Sequence, residues 1–205
     1  MSSGKIHIDA ETHKRQAEKH KKVFEEKLVK AQDEKGLLIV NTGTGKGKST
    51  AAFGMGVRIL GHGMRLGVVQ FIKGALHTAE RDFFGEHPRC TFHTMGDGYT
   101  WNTQDLEADM KSARAAWEVG AKMILSGDYA MVILDELNIA LRHQYLEVAE
   151  VLEVIGRRNA DVHVVITGRH APQELINAAD LVSEIKPIKH PYKEQGIKAQ
   201  KGVEF

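Results

Sequence analysis

From Gly36 onward the sequence alternates short apolar runs with longer amphipathic stretches, and this alternation constrains the fold more than any other feature. The apolar runs have the length of buried strands, whereas the segments between them carry helical spacing. Strands that alternate with helices favour right-handed crossovers and a mainly parallel sheet covered on both faces. We therefore expect an α/β domain of three layers. The predicted strands are Leu37–Asn41, Leu66–Phe71, Cys90–Thr94, Ala130–Leu134, Val162–Thr167 and Leu181–Ile185, and the predicted helices are 48–60, 78–86, 104–125, 144–158 and 172–179.

The segment before this alternation has a different character. Residues 9–35 are rich in Lys, Glu, Ala and Gln, and their few apolar side chains predict a polar helix with one narrow stripe. Such a helix is either a solvated extension or a helix that docks on a partner subunit. We therefore divide the chain into a helical extension, 1–35, and an α/β domain, 36–205, which closes on an irregular tail. The stripe residues are Val23, Phe24, Leu28 and Val29.

Composition limits the class of partner. Lys and Arg together number 28 against 27 for Asp and Glu, so the overall charge favours neither nucleic acid nor an anionic membrane surface. A single cysteine, Cys90, excludes an internal disulfide and a thiolate metal site. The sequence contains no run of ~18 apolar residues and no signal-like N-terminus. From these features we expect a cytoplasmic protein without a membrane partner.

The stretch "IVNTGTGKGKST", residues 39–50, is nearly a phosphate-binding loop. The usual pattern is Gly, four residues, then Gly-Lys-Ser/Thr. Gly47, Lys48 and Ser49 complete it, but Thr42 stands where the first glycine is expected. The stretch follows a predicted strand and opens a predicted helix, which is the context that a phosphate loop requires.

The chemistry of this loop suits a polyphosphate. Glycines remove Cβ atoms, so that backbone N–H groups can approach phosphate oxygens at the helix N-terminus. Lys48 is then placed to reach the phosphates, and Ser49 can offer its hydroxyl to Mg²⁺. Lys46 adds a second cation, which favours more negative charge than a diphosphate carries. The alternative is a glycine-rich turn without a ligand.

A second motif, "MVILDE" at residues 131–136, supplies an apolar strand that ends in carboxylates. Ligands of open α/β sheets bind at the carboxyl edge, where Asp135 or Glu136 would lie and where Mg²⁺ needs oxygen ligands. Many buried strands end in this way, so the motif alone is weak. Together with the loop it predicts a site for a nucleoside triphosphate and Mg²⁺. Arg169, after another predicted strand, is either a phosphate contact or an ordinary surface arginine.

A third segment, "TMGDGYTWNTQD" at residues 94–105, places Tyr99 and Trp101 in a glycine-containing loop. These rings either cap the core or form a flat apolar platform for a large planar ligand beside the nucleotide. Asp97, Asn102 or Thr103 could cap the helix that follows.

Together these motifs resemble the phosphate-loop type of ATP:corrinoid adenosyltransferase. The likeness covers nearly the whole chain, and the family loop also has Thr at the position of Thr42. The matching stretches are "NTGTGKGKSTAAFG" at 41–54, "GVVQFIKG" at 67–74, "GDGYTW" at 96–101, "VILDELNIAL" at 132–141, "TGRHAP" at 167–172 and the C-terminal "IKPIKHPY...GIKAQKGVEF".

The resemblance implies a P-loop NTPase fold of the RecA-like kind and an unusual use of ATP. In the family, the Co(I) ion of a corrinoid attacks the 5′ carbon of ATP, and inorganic triphosphate leaves. By position, Tyr99 and Trp101 would exclude a lower axial ligand from cobalt, while Lys46 and Lys48 would act on the leaving group. Mg²⁺, with Mn²⁺ as the alternative ion, would be held by Ser49 with Asp135 or Glu136. The triphosphate would be held by Thr42, Gly43, Thr44, Gly45, Lys46, Gly47, Lys48, Ser49, Thr50 and Arg169.

The resemblance further implies a homodimer and an electron donor such as a reduced flavoprotein. In the family, the N-terminal helix can cap the active site of the neighbouring subunit. Two other functions stay open from the residues alone. A P-loop ATPase or small-molecule kinase would release ADP, and a nucleotide-dependent corrinoid-binding module would bind without turnover.

Overall fold

A computed structural model describes residues 9–30, 33–71, 78–94 and 105–203. The chain forms two compact units, the first ending at Glu34 and the second beginning at Lys35. The first unit contains helix α1, Ala10–Lys30. Asp9 caps it by accepting hydrogen bonds from the N–H groups of Glu11 and Thr12, and the Thr12 bonds are the main reason that the pKa of Asp9 lies below its usual value.

The apolar stripe predicted on this helix is present and exposed to solvent within its own unit, with Phe24 62% and Val29 71% accessible. In the part of the chain that the structure describes, no helix is long and apolar enough to cross a membrane.

The second unit alternates strands and helices as the sequence predicted. Its elements are β1 (Leu38–Thr42), α2 (Lys48–Gly61), β2 (Leu66–Gln70), α3 (Ala79–Gly85), β3 (Cys90–Thr94), α4 (Leu106–Ser126), β4 (Met131–Asp135), α5 (Leu137–Arg142), α6 (Val148–Gly156), β5 (His163–Thr167), α7 (Gln173–Ala178), β6 (Leu181–Glu184) and α8 (Pro191–Gln195).

The six strands form one sheet in the order β3-β2-β4-β5-β1-β6, and each described pairing is parallel. Strand β5 lies between β1 and β4, with Ile166 opposite Val40 on one side and Leu134 on the other. The carboxyl ends of the loop strand, β1, and of the carboxylate strand, β4, are therefore separated by the end of β5. This arrangement makes residues after β5 natural members of a site between them.

Two apolar cores cover the faces of the sheet. Alternate strand residues point to opposite faces, so Val40 belongs to the same core as Trp117 of α4, while the adjacent Ile39 belongs to the other core with Phe53 of α2. Each face carries its own helices, which confirms the predicted three-layer α/β class.

Three local predictions need correction. The strand "MVILDE" is followed at once by α5, a six-residue helix that we did not predict from the sequence. The tail, which we expected to be irregular, contains the five-residue helix α8. Helix α4 is capped by Asp105, whose carboxylate accepts a hydrogen bond from the N–H of Ala108 at 3.1 Å. The predicted caps Asp97, Asn102 and Thr103 lie outside the described residues.

Candidate functional site

The predicted phosphate loop connects β1 directly to α2. Gly47 is the N-cap of α2 and has a φ of 108°, a conformation that side chains with a Cβ rarely adopt. Lys48 is only 6% exposed, and its Nζ donates a hydrogen bond to the carbonyl of Gly45 at 2.6 Å. The loop therefore encloses a cation at the positive end of a 14-residue helix, an arrangement suited to binding an anion.

The other two loop glycines are required for a different reason. A Cβ on Gly43 would lie 2.4 Å from the carbonyl oxygen of Ile185, and one on Gly45 would lie 2.8 Å from it. The N–H of Gly45 also donates to that carbonyl at 2.7 Å. The Gly45 amide is thus directed to the backbone of Ile185, whereas from the sequence we expected it to face phosphate. Ile185, just after β6, forms a wall of the loop that no loop motif could reveal.

Thr42, the departure from the general loop pattern, has a structural role. Its Oγ1 accepts a hydrogen bond from the backbone N–H of Ala171 at 3.1 Å. Ala171 belongs to the turn after β5, 129 residues further along the chain. A glycine at position 42 would lack this acceptor, so the threonine joins the phosphate loop to the turn after β5.

Asp135, the last residue of β4, is completely buried. Its Oδ1 accepts a hydrogen bond from the hydroxyl of Thr167 at 2.7 Å, and its Oδ2 accepts one from Nε2 of Gln70 at 2.9 Å. The strands on both sides of β4 therefore each donate one hydrogen bond to this carboxylate, so that both of its oxygens have a partner within the sheet.

Glu136 differs from Asp135 in exposure and backbone conformation. It is partly exposed, and its φ of 63° lies in the left-handed region, which costs roughly 1 kcal/mol for a residue with a Cβ. Its backbone N–H donates to the Thr167 hydroxyl at 2.9 Å. The strained turn directs the Glu136 side chain to the turn after β5, where Oε2 lies 3.2 Å from the position that a Cβ on Gly168 would occupy.

Asn138 and Gly168 also belong to this site and were not predicted from the sequence. Asn138 is fully buried and donates through Nδ2 to the carbonyl of Gly168 at 3.0 Å, while its Oδ1 has no hydrogen-bond partner among the described residues. Gly168 has a φ of 127°, and a Cβ there would lie 2.8 Å from Cβ of Asn138. Asn138 lies within the motif "DELNIAL", but the motif alone does not mark it as a site residue. Its contact with Gly168, 30 residues further along the chain, does so.

The remaining predicted residues fall into three groups. Ser49 is partly buried in the first turn of α2, whereas Thr44, Lys46 and Thr50 are exposed around it. Arg169 is exposed in the turn after β5, at the same sheet edge as the loop. Tyr99 and Trp101 lie outside the described residues. Within the described ranges, no three His, Cys, Asp or Glu side chains group into a metal cage.

Comparison with known proteins agrees with the sequence resemblance. The family model for "ATP:corrinoid adenosyltransferase BtuR/CobO/CobP" matches residues 34–205. A corrinoid adenosyltransferase of Pseudomonas aeruginosa is 53% identical, with 94% of this chain and 95% of that protein covered. One from Sinorhizobium is 52% identical, covering 90% and 88%, and corrinoid adenosyltransferase CobA of Salmonella typhimurium is 40% identical, covering 95% and 98%.

Among solved structures, the chain is similar to domain III of the replication initiation protein DnaA of Thermotoga maritima. The TM-score is 0.42 and the identity 12%, with 80% of this chain and 60% of that one covered. That likeness is too distant to carry a functional argument. The family model and the sequence relatives show that the chain belongs to the corrinoid adenosyltransferases, enzymes that transfer an adenosyl group to corrinoids.

Proposed function

We propose that this chain transfers the 5′-deoxyadenosyl group of ATP to the Co(I) ion of a corrinoid and releases inorganic triphosphate. Family membership supports adenosyl transfer. The observation that carries the rest is the phosphate loop, in which Lys48 is buried at the N-terminus of α2 and Lys46 is exposed beside it. Two cations on one loop suit a ligand with the charge of a triphosphate.

The proposed reaction is a displacement at carbon. The electron pair of Co(I) attacks C5′ of the ribose, the C5′–O bond breaks, and triphosphate leaves with the bonding pair. Because cobalt is the nucleophile, no side chain needs to act as a general base. Lys48, Lys46 and the N-terminus of α2 would stabilise the charge that develops on the leaving group, which lowers the barrier more than it stabilises bound ATP.

The donor set at the edge of the sheet fits Mg²⁺, with Mn²⁺ as a substitute. Hard divalent cations prefer oxygen ligands and use few protein groups when phosphates complete their coordination. We assign the direct ligands as the Ser49 hydroxyl and the Glu136 carboxylate, because both oxygens of Asp135 accept hydrogen bonds from neighbouring strands. When bound, the ion would neutralise charge on the triphosphate. Thr42, Gly43, Thr44, Gly45, Gly47, Thr50 and Arg169 complete the proposed nucleotide site.

The corrinoid side of the site is proposed from the family pattern. Tyr99 and Trp101 would present an apolar face that excludes a lower axial ligand from cobalt, which makes reduction to Co(I) easier. Trp101→Ala should then impair the reaction that starts from Co(II) much more than the reaction that starts from pre-formed Co(I). Equal losses from both starting states would contradict ligand exclusion.

The proposal extends to location and partners. We place the enzyme in the cytoplasm as a homodimer that receives electrons from a reduced flavoprotein, with either cobalamin or an incomplete corrinoid such as cob(I)yrinic acid a,c-diamide as substrate. The exposed stripe on α1 supports a role in covering a neighbouring subunit. Removing residues 1–35 should weaken retention of ATP or corrinoid, and full activity would favour a solvated extension.

The test of the central proposal is a product assay with Mg²⁺-ATP and chemically reduced corrinoid. We expect an alkylcobalt spectrum and one triphosphate for each corrinoid converted. ADP without a spectral change would indicate an ATPase or kinase, and binding without products would indicate a binding module. Lys48→Ala should lower turnover at least about 100-fold. Lys111→Ala, on the exposed surface of α4, is the matched control and should leave turnover unchanged.

A further inference from the structure

One buried hydroxyl connects the two carboxylate residues of the site. Thr167 is the last residue of β5 and is completely buried. Its Oγ1 donates to Oδ1 of Asp135 at 2.7 Å and accepts from the backbone N–H of Glu136 at 2.9 Å. A single hydroxyl can both donate and accept, so Thr167 satisfies both groups at once. Neither valine nor alanine could do so.

These two hydrogen bonds act where the backbone is strained. Glu136 has a φ of 63°, a conformation that persists only where the surroundings impose it. The bond from its N–H fixes the position of the peptide that carries the Glu136 side chain. Because the same hydroxyl is fixed by buried Asp135, the turn is connected to the interior of the sheet. The direction of the Glu136 carboxylate therefore depends on Thr167.

The position of β5 extends this connection to the phosphate loop. Strand β5 lies between β1 and β4, and the N–H of Gly168 donates to the carbonyl of Asn41 at 3.2 Å, one residue before Thr42. The residues at the end of β5 thus contact the loop on one side and the carboxylates on the other. A change at Thr167 should therefore alter how the Glu136 carboxylate is aligned with the phosphate loop, without removing any group that contacts the nucleotide.

We propose that Thr167 is a positioning residue that directs Glu136 toward the divalent cation bound with the triphosphate. This inference rests on the proposed function. Thr167 itself contacts neither metal nor nucleotide and acts through the Glu136 backbone and the Asp135 carboxylate. Loss of a hydrogen bond that orients a metal ligand typically lowers metal affinity about 10–100-fold. We expect a loss of at least about tenfold when the hydroxyl is removed.

The test measures how strongly Mn²⁺ promotes ATP binding, by equilibrium dialysis with the full chain and no corrinoid. The ratio of ATP affinities with Mn²⁺ and with EDTA isolates the metal contribution. Thr167→Val should lower this ratio at least about tenfold while leaving affinity in EDTA unchanged. Thr167→Ser, which retains the hydroxyl, should keep a ratio near that of the wild type. Thr91→Val is the matched control, because Thr91 lies in the edge strand β3 and its hydroxyl accepts a hydrogen bond from the Tyr129 hydroxyl, away from the loop.

Three results would overturn the inference. An unchanged ratio in Thr167→Val would do so, as would an equal loss of ATP affinity with and without metal, since that indicates general damage to the loop. If the valine protein does not fold, a folded Thr167→Ser protein with a tenfold lower ratio refutes the role of the hydroxyl. Failure of the proposed metal site is distinguishable, because Glu136→Gln would then retain the wild-type ratio.

Discussion

Replacing Thr42 with glycine would give the loop the general phosphate-loop pattern, and we expect this change to destabilise the protein. The glycine variant loses the acceptor for the Ala171 N–H, which now donates to Thr42 Oγ1 at 3.1 Å. It also introduces glycine at the end of β1, opposite Glu184 of β6. Conformity to the common motif should therefore be harmful in this chain.

The magnitude follows from these two losses. A half-buried N–H left without its partner costs about 1 kcal/mol, the lower end of the range for a fully buried donor. Glycine within a strand costs roughly 0.5–1 kcal/mol in backbone entropy. The free energy of unfolding should fall by about 2 kcal/mol for Thr42→Gly and by about 1 kcal/mol for Thr42→Val, which keeps the strand propensity. Thr42→Ser should remain within about 0.5 kcal/mol of the wild type.

Urea denaturation followed by circular dichroism would measure these differences, with the midpoint and slope fitted for all four proteins. In a chain of this size about 2 kcal/mol corresponds to a fall in Tm of roughly 4–8 °C. The essential result is the order of stability, which should fall from the wild type through the serine and valine variants to the glycine variant. A valine variant as stable as the wild type would refute the hydrogen-bond argument, and a glycine variant equal to the valine variant would refute the entropic one.

Gly168→Ala should lower stability by about 2 kcal/mol or more, because its φ of 127° disfavours a Cβ that would also meet Asn138; Gly61→Ala, with open space around it, is the control for thermal denaturation. Hydrogen bonds from Arg114 first and Trp117 second lower the pKa of Glu150 in the folded state. The Arg114–Glu150 ion pair therefore stabilises the fold above the pKa that Glu150 has in the unfolded chain, and this stabilisation is lost as pH falls through the pKa that Glu150 has in the folded state. Because the Arg114 and Glu150 side chains are both more than a third exposed, Arg114→Met should lower the free energy of unfolding by only about 0.5 kcal/mol at pH 7. Urea denaturation should show that this difference from the wild type vanishes in acid. A difference that stays constant with pH would contradict the linkage. Lys48→Ala should lower kcat at least about 100-fold in the product assay, and a change in KM alone would argue against a role in the transition state.

The sequence predicted the layers of the fold because the four inner strands, β2, β4, β5 and β1, are almost wholly buried and therefore appear as nearly continuous apolar runs. The edge strands β3 and β6 are more exposed. Leu66–Gln70 and Met131–Asp135 are buried throughout. The first prediction was one residue too long, and the second was displaced by one residue at both ends. Helix α5 was missed because six residues are too few to establish a helical period, and it directly follows the strand.

The loop and carboxylate motifs were visible locally, but the contacts that organise them were not. Thr167 lies 31 residues from Glu136, and Ala171 lies 129 residues from Thr42. These contacts arise because β5 lies between β1 and β4, and strand order in a parallel sheet is not encoded in any short window of sequence. The roles of the predicted site residues remain predictions for the assays above.

The contact between the phosphate loop and Ile185 also has a consequence for protein synthesis. Gly43 and Gly45 pack against the backbone of Ile185, which directly follows β6, the strand that pairs with β1. A ribosome that has translated every strand through β5 has still not produced this wall of the loop. The nascent chain therefore completes the proposed nucleotide site only after Ile185 has emerged from the ribosome, and a nucleotide bound there can stabilise the fold only from that point on.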